Sequence, residues 1–483
     1  MPRHRAHDRA RTRPPRRGTT RRPAGRAGSR DRRRGRLART GGARVSGTLI
    51  IGAGPAGLAV ATALSCHGVD DLEVVDPSGT WMTAWHRRFA AQDIPHLRSP
   101  AVHHPHPDPF ALLEVTPREE LVRSGGTSLP TTASFRRFCE LLVERRGLAD
   151  AVTATHAEAL EVGVDGRATV HLADGTSRTP DRVVLATNAR QPTLPEAIAP
   201  LRGHPCVAGT ETAAVADTPA GGHVVVVGGG LSAGHLAVGA ARRGAQVTLA
   251  ARRRLMVRRF DTEPAWLGPK KRRPFEADPD PRSRRRTIDH ARGGGSVPHR
   301  MHRAIGGCAE EGRLDLRERV EVDACHDRPD GRVEVRFSDG HEVVADAVWA
   351  ATGGAIDVTR DALCRALAAA HATEVADGLP VLTDDLRWPG TNVHLAGFVA
   401  ALTLGPTAGN LVGQRRAALR IAAAVRGDDP VRADRVATGT GACPAESDRR
   451  FGPRDRPNVR SRPGAGSGPA VRGRPAEDGG SRG

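Results

Sequence analysis

Tyrosine is absent from the 483 residues, and aromatic residues reach only 3%. The hydrophobic share is 38%, against 56 glycines and 36 prolines. That is too lean for the whole length to pack as core, so part of the chain is expected not to fold. What remains is still long enough for two or three folded units. No run approaches the ~20 apolar residues of a membrane-spanning helix. The basic N-terminus is followed by no apolar segment of the kind a secretory signal carries. The seven cysteines, Cys66, Cys139, Cys206, Cys308, Cys325, Cys364 and Cys443, are scattered, and no two are spaced C-x-x-C. This excludes a zinc ribbon and a local redox dithiol, and it fits a reducing cytoplasm.

Acidic residues are the minority, giving a formal charge of +19, but the excess is local. Residues 1–46 hold 17 arginines against two aspartates, and residues 431–483 hold 11 arginines against six acids. Residues 47–430 are left with 45 basic and 46 acidic side chains. A near-neutral body does not look like a nucleic-acid binder. The two tails, 1–46 and 431–483, lack apolar periodicity and are expected to be disordered. They read either as polyanion-contacting arms or as translated text of GC-rich DNA.

Between the tails, strands and helices alternate. Thr48-Leu49-Ile50-Ile51 is a buried-strand run, a helix is expected from Pro55 to Cys66, and Leu72–Val75 is the next strand. Further elements are expected as a helix at 134–146, strands within 152–185 and a second strand–helix–strand start at 223–250. After these come a hairpin at 332–345, a strand at 393–396 and a helix at 406–425.

Two turns carry chemistry. Gly52-Ala53-Gly54-Pro55-Ala56-Gly57 follows the first strand, and Asp76 ends the next one. In a dinucleotide turn Gly52 makes the bend, Gly54 lets a pyrophosphate approach the backbone, and Gly57 lets helix and strand close up. The helix start offers free N–H groups to phosphate, and Asp76 accepts ribose hydroxyls. The second turn, Gly228-Gly229-Gly230-Leu231-Ser232-Ala233, follows Val224–Val227. Its next strand ends in Arg252-Arg253-Arg254 where an acid would favour NAD. Guanidinium there suits the 2′-phosphate of NADPH.

Two strand ends, Ala186-Thr187-Asn188 and Ala351-Thr352-Gly353-Gly354, and the segment Gly397-Phe398…Gly405-Pro406 complete the pattern. The last of these is read as opening the final helix. His96, His103, His104 and His106 crowd a Pro-rich loop, but they have no acidic or cysteine partner at ligand spacing, so no metal site is expected.

These parts resemble the two-dinucleotide-binding-domain flavoproteins, and within them the flavin-containing monooxygenases and the lysine and ornithine N-hydroxylases. The resemblance spans about 47–426. It implies an α/β fold of two Rossmann-like dinucleotide-binding domains, the NADPH domain inserted into a split FAD domain. The implied boundaries are 47–215 and 346–430 for FAD and 216–345 for NADPH. FAD would rest on Gly52, Gly54, Pro55, Ala56, Gly57 and Asp76. Thr187, Thr352, Gly353, Gly397, Gly405 and Pro406 would border it. NADPH would rest on Gly228, Gly230, Ser232, Ala233 and Arg252. Trp81, Trp85 and Asn188 would stand near the flavin, with Trp81 also touching it. Val207 stands where the family's signature has a histidine. The implied activity is oxygenation of a small amine or amino acid by molecular oxygen, N-hydroxylation through a flavin peroxide, with no specific nucleic-acid or membrane partner. The alternative is an NADPH-dependent flavoprotein reductase or oxidase without oxygen insertion.

Overall fold

The computed structural model describes residues 47–187 and 190–436. The expected tail 1–46 lies outside the described residues, as does everything beyond 436.

Two five-stranded parallel sheets organise the chain. The first runs in the order Val393–Leu395, Arg182–Leu185, Thr48–Ile51, Leu72–Asp76, Val152–Ala154. Its central strand Thr48–Ile51 is buried throughout, which is why it reads as an unbroken apolar run. The second runs Val207–Gly209, Ala347–Ala350, His223–Val227, Gln246–Ala251, Leu314–Glu318. An antiparallel pair, Arg190–Pro192 with Gly354–Ile356, carries the chain out of the first sheet's domain and back. Because the first sheet takes strands from both ends of the chain, its domain is split around the second. The second sheet begins before 216 and ends after 345. Its outer strand Val207–Gly209 pairs along Val348–Ala350, which in turn pairs along Val224–Val227.

Helix Pro55–Cys66 is buried over nearly all its length, with Leu58 and Leu64 fully enclosed. It is covered on its far side by helix Leu411–Arg426. Truncating either leucine to Ala is expected to cost roughly 2–5 kcal/mol. Residues 252–313, between two strands of the second sheet, form a separate wall of helices Pro269–Ala277, Pro281–Arg292 and His299–Glu310.

Two local expectations fail. The last long helix begins at Leu411, capped by Asn410 in extended backbone, and not at 406. The supposed C-terminal tail opens with helix Pro430–Val436. Asp434 on it is fully buried and meets three arginines. Arg416 is bidentate at 2.6 and 2.8 Å, Arg420 lies at 3.1 Å and Arg272 at 3.2 Å. A composition argument misses this, because one buried carboxylate is enough to fix a polar helix when its partners lie elsewhere in the chain.

Candidate functional site

Both glycine turns open on one cleft of about 2230 Å³. At the first, Gly52 has φ +108°, and a Cβ there would stand 2.9 Å from the Ala186 carbonyl oxygen. A Cβ on Gly57 would stand 2.0 Å from the Gly52 carbonyl oxygen, so helix and strand touch backbone to backbone. Around Gly54 a Cβ would meet nothing within 4 Å. The helix behind it has Pro55 in its first turn and no side-chain cap, leaving its first N–H groups facing the cleft unfilled. Asp76 holds this turn: Oδ2 accepts from the Ala53 N–H at 2.9 Å, while Oδ1 accepts from the Ser78 N–H and hydroxyl. A carboxylate has about four acceptor directions, so capacity remains for a diol.

At the second turn a Cβ on Gly228 would stand 2.4 Å from the Ala351 carbonyl oxygen. Helix Leu231–Arg242 begins at Gly230, again without a side-chain cap. Here the space is shared. A Cβ on Gly295 would lie 2.9 Å from the Gly230 Cα, and one on Gly294 would meet the Arg253 guanidinium. Gly295 is therefore glycine because it lies directly on the fingerprint, while Gly293 and Gly294 have positive φ and lie against the Arg258 and Arg253 guanidiniums. Arg252 and Arg253 are exposed at the rim.

Between the turns, Trp85 stacks on Phe89 with ring centres 3.6 Å apart. Opposite, the Arg292 guanidinium lies over the Phe398 ring and its Nη1 donates to the Pro406 carbonyl. Arg98 ties the loop around 98 to the inserted wall. It donates to the carbonyls of Arg258, Arg259 and Ser296 and to the Ser296 hydroxyl, and pairs with Asp261 at 2.6 Å. Burial and the neighbouring Arg300 push His96 down to about 4, and burial with Arg415 does the same for His103. Burial, helped by His96 and Arg242, brings His235 to about 4 as well. These three imidazoles are neutral at physiological pH.

Of the residues expected from sequence, Gly52, Gly54, Pro55, Ala56, Asp76, Trp85 and Thr187 line the cleft on the first sheet's side. Gly228, Gly230, Ser232, Arg252, Thr352, Gly353 and Gly397 also line it. Gly57 and Ala233 sit behind the turns as packing positions. Trp81 stands off the cleft, its Nε1–H donating to the Leu148 carbonyl at 2.9 Å. Gly405 and Pro406 are also off the wall; Gly405 lies against Phe275, and Thr407, Gly409 and Asn410 take the place expected of them. Asn188 lies outside the described residues. Arg98, Arg190, Asp261 and Arg292 were not singled out from sequence, because each gains meaning only from partners distant in the chain.

Among the described residues no group of His, Cys, Asp and Glu is placed to hold a metal, and no helix is long and apolar enough to cross a membrane. No disulfide joins the described cysteines. Burial raises the Cys139 and Cys364 thiols well above their ordinary range and Cys325 to about 11.

Residues 47–265 match the model of the pyridine nucleotide-disulphide oxidoreductase family. No curated protein matches the chain. Among solved structures, the chain is similar to the desferrioxamine-pathway cadaverine monooxygenase of Erwinia amylovora, bound to FAD. The TM-score is 0.65 at 15% identity, covering 80% of this chain and 96% of that one. It is similar to the ornithine N-hydroxylase of Kutzneria sp. 744, solved with reduced FAD, NADP+ and L-ornithine, with TM-score 0.65 at 17% identity over 80% and 100% of the two chains. It is also similar to L-lysine 6-monooxygenase of Pseudomonas syringae, with TM-score 0.58 at 20% identity over 79% and 99%. Residues 47–265 thus carry the match to the pyridine nucleotide-disulphide oxidoreductase model, and the described chain has the fold of the two-dinucleotide-binding-domain flavoproteins.

Proposed function

We propose that the protein is an FAD- and NADPH-dependent monooxygenase that N-hydroxylates a small amine or amino acid. The observation that carries this reading is the single cleft onto which two uncapped, glycine-led helix starts both open. The backbone N–H groups of Gly54 and Ala56, on either side of Pro55, and the Asp76 carboxylate fit the pyrophosphate and ribose of FAD. The start of helix Leu231–Arg242, with Arg252 and Arg253 beyond the next strand, fits NADPH. Bound FAD would supply the hydride and oxygen chemistry, with the overall balance R–NH2 + O2 + NADPH + H+ giving R–NHOH + H2O + NADP+.

The chain's own part is to hold and to dry the site. Trp85, Phe89 and Phe398 present ring faces that exclude water. His96 and His235, neutral and beside the second turn, leave a substrate amine uncharged company. A dithiol route has no support, since no described cysteine pair exists and the buried thiols are held protonated.

The test is NADPH consumption under air and under nitrogen with a panel of small amines and amino acids, with hydroxylamine measured directly. Oxygen-dependent consumption that an amine stimulates and that yields hydroxylamine supports the reading. Hydrogen peroxide as the sole product across the panel would instead point to an oxidase.

A further inference from the structure

Two guanidiniums in the cleft have no carboxylate of their own. Arg190, on the linker strand, is half-buried, lines the cleft and lies by the Gly353–Gly354 turn. Its backbone pairs with Ile356, but among the described residues no hydrogen bond or ion pair engages its guanidinium. Arg292 ends helix Pro281–Arg292, and its guanidinium has one hydrogen bond, to the Pro406 carbonyl, and the Phe398 face. Burial disfavours the charge on both, and at Arg190 the nearby Arg292 adds to that effect. The carboxylates within reach are Asp261 and Glu211. Asp261 is already bonded to Arg98 at 2.6 Å, and exposed Glu211 is paired with Arg88 at 3.4 Å. The remaining acids of the cleft are spent or peripheral. Asp76 holds the first turn, Asp361 caps a helix and exposed Glu263 is paired with Lys271, while Glu158, Glu196, Glu321 and Asp323 are exposed. The three neutral histidines add nothing of either sign. Arginine does not shed its proton in a protein, so an inner cleft of this kind is completed by an anion from outside.

Resting on the monooxygenase reading, we propose that Arg190 and Arg292 receive an acidic group of the substrate, and that the substrate is a monoamine carrying at least one carboxylate, of net charge zero or below. A diamine, or an amino acid with two free amines, brings a surplus cation to a wall that already has two.

The experiment uses the flavin-loaded full chain and measures dissociation constants for NADP+, 5-aminopentanoate, glutamate and the five-carbon α,ω-diamine. Arg190→Gln and Arg292→Gln are compared with the parent. The expected result is at least about tenfold preference for the acids over the diamine, lost by about tenfold or more in either variant. NADP+ binding should stay within about twofold. Equal or tighter binding of the diamine overturns the proposal. So does a parallel loss of NADP+ affinity in both variants, which would make a cofactor phosphate the occupant. So does loss of flavin in both, which would make the pair structural. Acid-selective binding with only hydrogen peroxide as product would defeat the monooxygenase reading and leave this one standing.

Discussion

The two nucleotide turns share a sequence pattern and differ in what lies on them. At the first, space around Gly54 is open and the strand-end acid is already bonded into the turn. At the second, the backbone of Gly295 rests against Gly230, and the strand-end arginines are exposed. A preformed cradle suits a group that stays. A turn shared with a glycine strap suits one that comes and goes.

The largest effect that would sharpen this contrast lies at Gly57. Gly57→Ala forces a Cβ to within 2.0 Å of the Gly52 carbonyl, and it is expected to cost about 4 kcal/mol or more and to remove soluble folded protein. A Cβ at Gly54 meets nothing within 4 Å, so Gly54→Val should melt near the parent temperature yet purify colourless. A yellow Gly54→Val protein would show that nothing approaches that backbone. Next in size, replacing Arg252 and Arg253 together by Ala should lower the NADPH-to-NADH preference by about ten- to a hundredfold, equivalent to about 1.4–2.7 kcal/mol. An unchanged ratio of kcat/KM for the two nucleotides would remove the phosphate role. Gly295→Ala should raise the KM for NADPH several-fold while flavin content holds, since its Cβ presses on Gly230 and not on Gly54. Loss of flavin in that variant would erase the distinction between the two turns.

A further effect, on stability alone, is with pH. His96, His103 and His235 are held at about 4 when folded, against an ordinary value of 6.5. Between those values the unfolded chain takes up protons that the folded chain refuses, so stability falls as pH drops from 6.5 toward 4. Tm measured across that window should decline, and His96→Asn with His235→Asn should flatten part of the decline. A parallel curve in the double variant would place the acid sensitivity elsewhere.

Much of this was legible because it is local. A strand, three glycines and an acid at the next strand end lie within about thirty residues, and each has a backbone reason to be there. The strap was not legible. Gly293–Gly295 looks like loop until Gly230 and Arg253 are seen beneath it. Arg98 was equally opaque, since its partners Arg258, Arg259 and Ser296 lie 160 to 198 residues away. Trp81 misled because a tryptophan just after the second strand's turn suggests a flavin wall, whereas its indole is satisfied by the Leu148 carbonyl. Pro406 misled for a different reason. Proline favours a helix's first turn, yet here the chain makes a further loop before Leu411.

The split first sheet has a consequence for synthesis on the ribosome. The second sheet is complete once Ala350 has emerged, because all its strands lie between Val207 and Ala350. The first waits for Val393–Leu395, and the buried arginines 272, 416 and 420 wait for Asp434. The inner domain is therefore expected to acquire protease resistance on nascent chains long enough for Ala350 to have left the ribosome, while strands Thr48–Ile51 and Leu72–Asp76 of the split domain stay cleavable until Asp434 has emerged. The first segment made is the last to be secured.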